Sequence, residues 1–198
     1  MYAIVSDIEK ERSLLLDANR SVLLFIDVQT KLAPAVDQRE SCLARCRLLL
    51  VAARRLDVPI LATEHCPNRV GPTVPALRDR LDSAEIVEKR HFNGMAEAAL
   101  TDALAAHPRE TVVVAGMEAH VCVLQTTLGL KAAGYKPVVV ADAIASRHPS
   151  SRDLAMSRMR HNGVDIVNTE MALFEWLKVG DSESFKELLP MIKTGSVD

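Results

Sequence analysis

"TVVVAGMEAHVCVLQTTLGLKAAGYKPVVVADA", residues 111–143, decides the fold. Its β-branched run over 111–116 reads as a strand. Residues 122–134 read as a helix that Gly134 ends, and 136–143 as a second strand. A strand, a crossing helix and another strand form a right-handed unit with parallel strands. Both runs are almost continuously apolar, as strands covered on two faces must be.

The same alternation extends outward. "SVLLFIDV" (21–28) reads as a buried strand, and 37–56 as a helix carrying Cys42, Cys46, Leu49, Leu50, Ala53 and Leu56 on one face. "VPILATEH" (58–65) is the next strand, followed by the turn-rich "CPNRVGPTVP" and a short strand at 84–89. A helix over 95–107, a helix over 150–163 and a last strand over 164–168 complete the pattern. Helices at 170–177 and 184–193 are expected to be peripheral, and the "TGSVD" tail to fray. The prediction is an α/β, three-layer Rossmann-like fold with a mostly parallel sheet and helices on both faces. Its 198 residues suit one domain, with a core over about 21–177 and a peripheral segment over 178–198.

Composition narrows the function. With 48% hydrophobic and 25% charged residues the chain is globular in character. A net charge of −2, no basic stripe and only 4% aromatic residues argue against nucleic acid as a partner. The N-terminus lacks the layout of a secretory signal, and no apolar run is long enough to span a membrane. A cytoplasmic protein that binds a small-molecule substrate is expected, and its four cysteines are expected to stay reduced.

In parallel sheets, ligands bind beyond the carboxyl ends of the strands. That rule gathers Asp27, Thr63–His65, Lys89, Gly116–Cys122 and Asp142 around one crevice. Asp27 ends an apolar strand, where an unpaired carboxylate is costly; it is either a cap for the next segment or a general base. Lys89 is either a solvated charge or an ammonium that acts on its neighbours. Cys122 is either a buried inert thiol or a nucleophile whose pKa a helix start would lower. Cys42 and Cys46 read as small core residues and Cys66 as core or rim packing. His65 and His120 are placed to face the crevice, and His107 and His161 at helix ends on the surface. No HExxH, CxxC, GxGxxG, Walker or GxSxG pattern occurs.

Three stretches, "LLFIDVQTKL" (23–32), "EKRHFNGM" (88–95) and "VVVAGMEAHVCVLQTTLGLKAAGYKPVVVADAIAS" (112–146), together resemble the isochorismatase-like cysteine hydrolases. The resemblance runs from about Ser21 to Trp176. It implies an Asp–Lys–Cys triad at Asp27, Lys89 and Cys122, and a non-proline cis peptide at Met117–Glu118. It also implies an oxyanion hole made by the backbone N–H groups of Glu118 and Cys122. Gln29 matches the family's glutamine after the aspartate and is grouped with His65, Phe92, Met95 and His120 as substrate-binding candidates.

The implied reaction is attack of the thiolate on a small amide or related acyl compound through a thioester. Members that hydrolyse isochorismate lack the cysteine, so Cys122 counts against that substrate. Residues 28–88 hold only His65 where nicotinamidase-type members carry an Asp-x-His cluster, so no metal and no cofactor are expected. The family is usually homo-oligomeric. Two other roles remain open at this level: a redox-sensing thiol at Cys122, and a non-catalytic binding or scaffolding protein that retains the fold.

Overall fold

The computed structural model describes residues 14–195 and 197. The N-terminal stretch read for a secretory signal therefore falls mostly outside the described residues, as do Ser196 and Asp198 of the tail. Six strands form one sheet: β1 (Ser21–Ile26), β2 (Ile60–His65), β3 (Ile86–Lys89), β4 (Thr111–Met117), β5 (Lys136–Ala145) and β6 (Asp165–Val167). Their order is β3-β2-β1-β4-β5-β6, and all neighbours run parallel. The helices are α1 (Arg39–Arg55), α2 (Pro67–Val70), α3 (Pro75–Arg78), α4 (Ala98–Ala105), α5 (Leu124–Ala132), α6 (Pro149–His161), α7 (Thr169–Leu177) and α8 (Glu183–Thr194). The architecture is the expected α/β one. Among the described residues no helix is long and apolar enough to cross a membrane.

β1 shows why the apolar runs form central strands. All six of its residues are buried, and alternate side chains serve opposite faces of the sheet. Leu23 and Phe25 join the core built with α1 and α7, while Val22, Leu24 and Ile26 join the one built with α4, α5 and α6. The chain winds outward from β1 to β3, then returns to place β4 on the other side of β1. That reversal opens the crevice between the carboxyl ends of β1 and β4. Here Ile26 pairs with Gly116, whose φ is +124°. A Cβ on Gly116 would come within 2.1 Å of the Ile26 carbonyl oxygen, so the close approach of the strands requires glycine.

The elements depart from the sequence reading in several places. The "CPNRVGPTVP" connection contains the short helices α2 and α3, each opened by a proline at its first turn. Residues 95–107 divide into a 3₁₀ turn at Gly94–Ala96 and the shorter α4. β5 continues to Ala145 past an irregularity, where the register with β4 jumps from Val114↔Val139 to Gly116↔Ile144. Asp142 therefore falls within the strand rather than at its end. Its Oδ1 accepts Thr169 N at 2.7 Å and Thr169 Oγ1 at 2.8 Å, and Arg45 Nε lies 3.5 Å from Oδ2.

The C-terminal helices expected as peripheral are part of the core. α7 buries Ala172, Leu173, Trp176 and Leu177, and Trp176 Nε1 donates to Ser21 Oγ at 3.1 Å. α8 adds Leu188 and Ile192 to the same cluster. α1 presents a wide apolar face that a sheet alone does not cover, and these helices complete its burial.

Candidate active site

Asp27 stands immediately after β1 with a left-handed φ of 50°, fully buried. Its Oδ1 accepts a hydrogen bond from Thr63 Oγ1 at 2.7 Å, and its N–H donates to Thr63 O at 3.1 Å. Lys89, the last residue of β3, brings Nζ to 2.7 Å from Asp27 Oδ2, with both side chains shielded from solvent. Lys89 Nζ also donates to His91 O at 3.1 Å. Apart from this ion pair, Asp27 Oδ2 receives no aligned hydrogen bond, so it keeps acceptor capacity. A buried carboxylate and ammonium are tolerated as a pair, and removing either one strands the other.

Cys122 follows β4 by way of a cis peptide at Met117–Glu118 and a wide π-type turn over Ala119–Val123. The turn begins at Ala119, so Cys122 lies inside it rather than at a helix start, where the sequence reading put it. Val121 N and Val123 N both donate to Glu118 O, at 3.0 and 3.2 Å. The thiol is 5% exposed, and Asp27 and Lys89 both act on it. Burial and then the Asp27 charge push its pKa from the ordinary 9.0 up to about 12, against the opposing pull of Lys89. The expectation of a lowered thiol pKa is thus corrected. Burial disfavours the thiolate, and the neighbouring carboxylate adds to that effect.

The remaining candidates divide into wall and support. His65 and Phe92 stack with ring centroids 5.1 Å apart; Phe92 is 51% exposed, and Met95 is half-buried beside it in the same loop. Burial and then the Lys89 charge hold the His65 imidazole below its ordinary range, which keeps it neutral near pH 7. Gln29 is fully buried and uses both ends of its amide on the backbone. Nε2 donates to His65 O and Gly71 O, and Oε1 accepts His65 N at 2.8 Å. With both amide ends engaged, it braces the backbone around His65 and Gly71.

His120 Nδ1 lies 3.0 Å from Ser146 Oγ, beside a cleft of about 280 Å³ over the end of β5. On the other flank, a cleft of about 540 Å³ runs along Lys89, Arg69, Arg90 and Glu97. Glu118 turns its carboxylate outward to Arg147, accepting from that residue's N and Nε at 3.0 Å each.

Two supporting residues had no assigned role in the sequence. Thr63 was placed only as a neighbour of the crevice, because a strand-end threonine carries no distinctive spacing. Glu97 was not singled out. Its one signal is an acid just before a helix, close behind "EKRHFNGM".

A doubly wound parallel sheet with a thiol, a carboxylate and an ammonium buried at its switch point defines an α/β protein equipped for polar chemistry in a shielded crevice. The family model described as Isochorismatase domain matches residues 21–171. Isochorismatase domain-containing protein 2 of Danio rerio is 32% identical over 183 residues, spanning 92% of each chain. The structure of MAR1 ribonuclease from Caenorhabditis elegans superposes with a TM-score of 0.85 at 32% identity, covering 93% of this chain and 95% of that one. YcaC from Pseudomonas aeruginosa, solved with hexane-2,5-diol and covalent acrylamide, gives a TM-score of 0.84 at 26% identity, covering 92% and 96%. The chain belongs to the isochorismatase family, and this membership supports hydrolase activity.

Proposed function

We propose that the protein is a cysteine hydrolase that cleaves a small amide or related acyl compound with Asp27, Lys89 and Cys122. The observation that carries this reading is the meeting of the Cys122 thiol with Asp27, whose Oδ2 is paired to Lys89 at 2.7 Å and still has room to accept a proton. Asp27 takes the thiol proton as Sγ forms a bond to the carbonyl carbon, and the carbonyl electrons move onto oxygen. The N–H groups of Glu118 and Cys122 hold that oxyanion. The C–N bond then breaks as Asp27 returns the proton to the leaving nitrogen. Water, deprotonated by Asp27, cleaves the thioester, releasing a carboxylic acid and restoring the thiol. Lys89 keeps Asp27 ionised and steadies the developing thiolate.

The other two roles find less support. A redox-sensing thiol is favoured by a low pKa, and that of Cys122 is raised. A scaffold would leave Lys89 in solvent, but Lys89 is 2% exposed and paired. Covalent acrylamide in the Pseudomonas relative supports a reactive nucleophile within this fold. Ribonuclease activity is named for the C. elegans relative; in this chain Lys89, the buried cation at the proposed triad, is committed to Asp27 and His91 O.

Homo-oligomeric assembly belongs to the same reading. Apolar side chains left on the surface, among them Phe92, Leu154 and Phe174, support it. Light scattering coupled to size exclusion tests this, and a monomer removes it.

The deciding experiment is a panel of small amides assayed with wild type, Cys122→Ala and Asp27→Asn. Turnover and a mass adduct on Cys122 are expected in wild type, with turnover lost in both variants while circular dichroism is unchanged. Turnover that survives in Cys122→Ala ends the nucleophile assignment.

A further inference from the structure

The loop after β3 is held by one carboxylate. Glu97 Oε1 accepts Arg90 N at 2.6 Å and His91 N at 2.9 Å, and His91 Nδ1 lies 2.8 Å from the same oxygen. Three groups on two consecutive residues thus converge on one atom. The second of those residues supplies the carbonyl that receives Lys89 Nζ at 3.1 Å. The far end of the loop has separate anchors: Gly94 N donates to Thr126 Oγ1 at 2.9 Å, and Met95 N to Asn93 Oδ1 at 3.0 Å.

We propose that Glu97 is a positioning residue for Lys89: its carboxylate fixes the 90–91 backbone so that His91 O and Asp27 Oδ2 hold the ammonium between them. An ammonium on a flexible stem has no preferred direction of its own, so fixed acceptors set where its charge lies. With His91 O in place, Lys89 Nζ stays within reach of the Cys122 thiol. When the loop swings away, the ammonium moves toward the carboxylate alone, and the Asp27 charge acts on the sulfur with less opposition. The same loop carries Phe92 and Met95, so the clasp also sets the apolar wall of the crevice. This assignment deepens the hydrolase reading and rests on it for its functional meaning.

The test is alkylation of Cys122 by iodoacetamide, followed residue by residue by mass spectrometry across pH in wild type, Glu97→Ala and Glu97→Gln. Glu97→Ala is expected to move the alkylation curve to higher pH, slowing the reaction at about pH 8 by about threefold or more. Glu97→Gln retains an oxygen for the two backbone N–H groups and should stay near wild type or move slightly to lower pH. Loss of the Glu97 charge alone acts in the opposite direction, because removing a negative charge eases ionisation of the thiol. The direction of the shift therefore separates positioning from simple electrostatics. A curve that stays in place or moves to lower pH in Glu97→Ala overturns the proposal, even if the thermal midpoint falls. Alkylation is read at Cys122 itself, so it reports on the clasp whether or not the thiol proves to be the nucleophile in the amide assay.

Discussion

At Cys122 two opposite charges act on one sulfur. Asp27 raises the thiol pKa and Lys89 lowers it, while burial raises it most of all. Below a pKa of about 12 the thiol is the dominant form, and its thiolate fraction grows about tenfold per pH unit. Iodoacetamide should therefore react with Cys122 ever faster up to at least about pH 10, with no plateau near neutrality. Asp27→Asn removes the repelling charge and leaves Lys89 unopposed. Alkylation should then speed up at neutral pH even as amide turnover is lost. Slower alkylation in that variant would contradict the assignment of Asp27 as the raising charge. Lys89→Met does the reverse to the thiol and also strands a buried carboxylate, costing about 3–5 kcal/mol in urea unfolding.

Two elements bring these residues together, and each has a sensitive point. Where β1 and β4 meet, Gly116→Ala would force a Cβ against Ile26 O in a backbone conformation that disfavours side chains. A loss of about 3 kcal/mol or more in chemical denaturation is expected. A loss below about 1 kcal/mol would mean that the strands can part locally. In the loop after β3, hydrogen bonds from the backbone of His91 and Arg90 hold the Glu97 carboxyl at about 2, below its ordinary 4.5. A depressed carboxyl contributes stability that is whole above 4.5 and is lost as pH falls toward about 2. The thermal midpoint of wild type should therefore drop more steeply across that window than that of Glu97→Gln. Parallel curves would remove the linkage. The elements themselves were legible because parallel strands are apolar on both faces, and β1, β2 and β4 read clearly for that reason. The wide turn at Ala119–Val123 was not legible, since "AHVCV" has the same local propensities whether the helix opens before the cysteine or at it.

Across the whole molecule, the last two helices complete the core on one side of the sheet. Leu188 is 1% exposed within the cluster that includes α1 and Trp176. Leu188→Ala should cost about 2–5 kcal/mol in urea unfolding, as for other buried leucines. A cost near zero would return α8 to the peripheral role that its position near the chain end suggested. Hydrophobic periodicity shows that a helix has an apolar face but does not name what that face meets, so α7 and α8 could not be placed without the packed structure.

The amino-acid sequence determined the layered α/β class and the main strands, because local patterning suffices for these, while the resemblance of its motifs singled out Asp27, Lys89 and Cys122. Tertiary structure decided the electrostatics around Cys122. Burial and the Asp27 charge favour the protonated Cys122 thiol, against the pull of Lys89, whose Nζ lies 2.7 Å from Asp27 Oδ2. Desolvation and Coulomb interactions depend on distance and exposure, and neither quantity exists until residues 27, 89 and 122 are packed into one crevice.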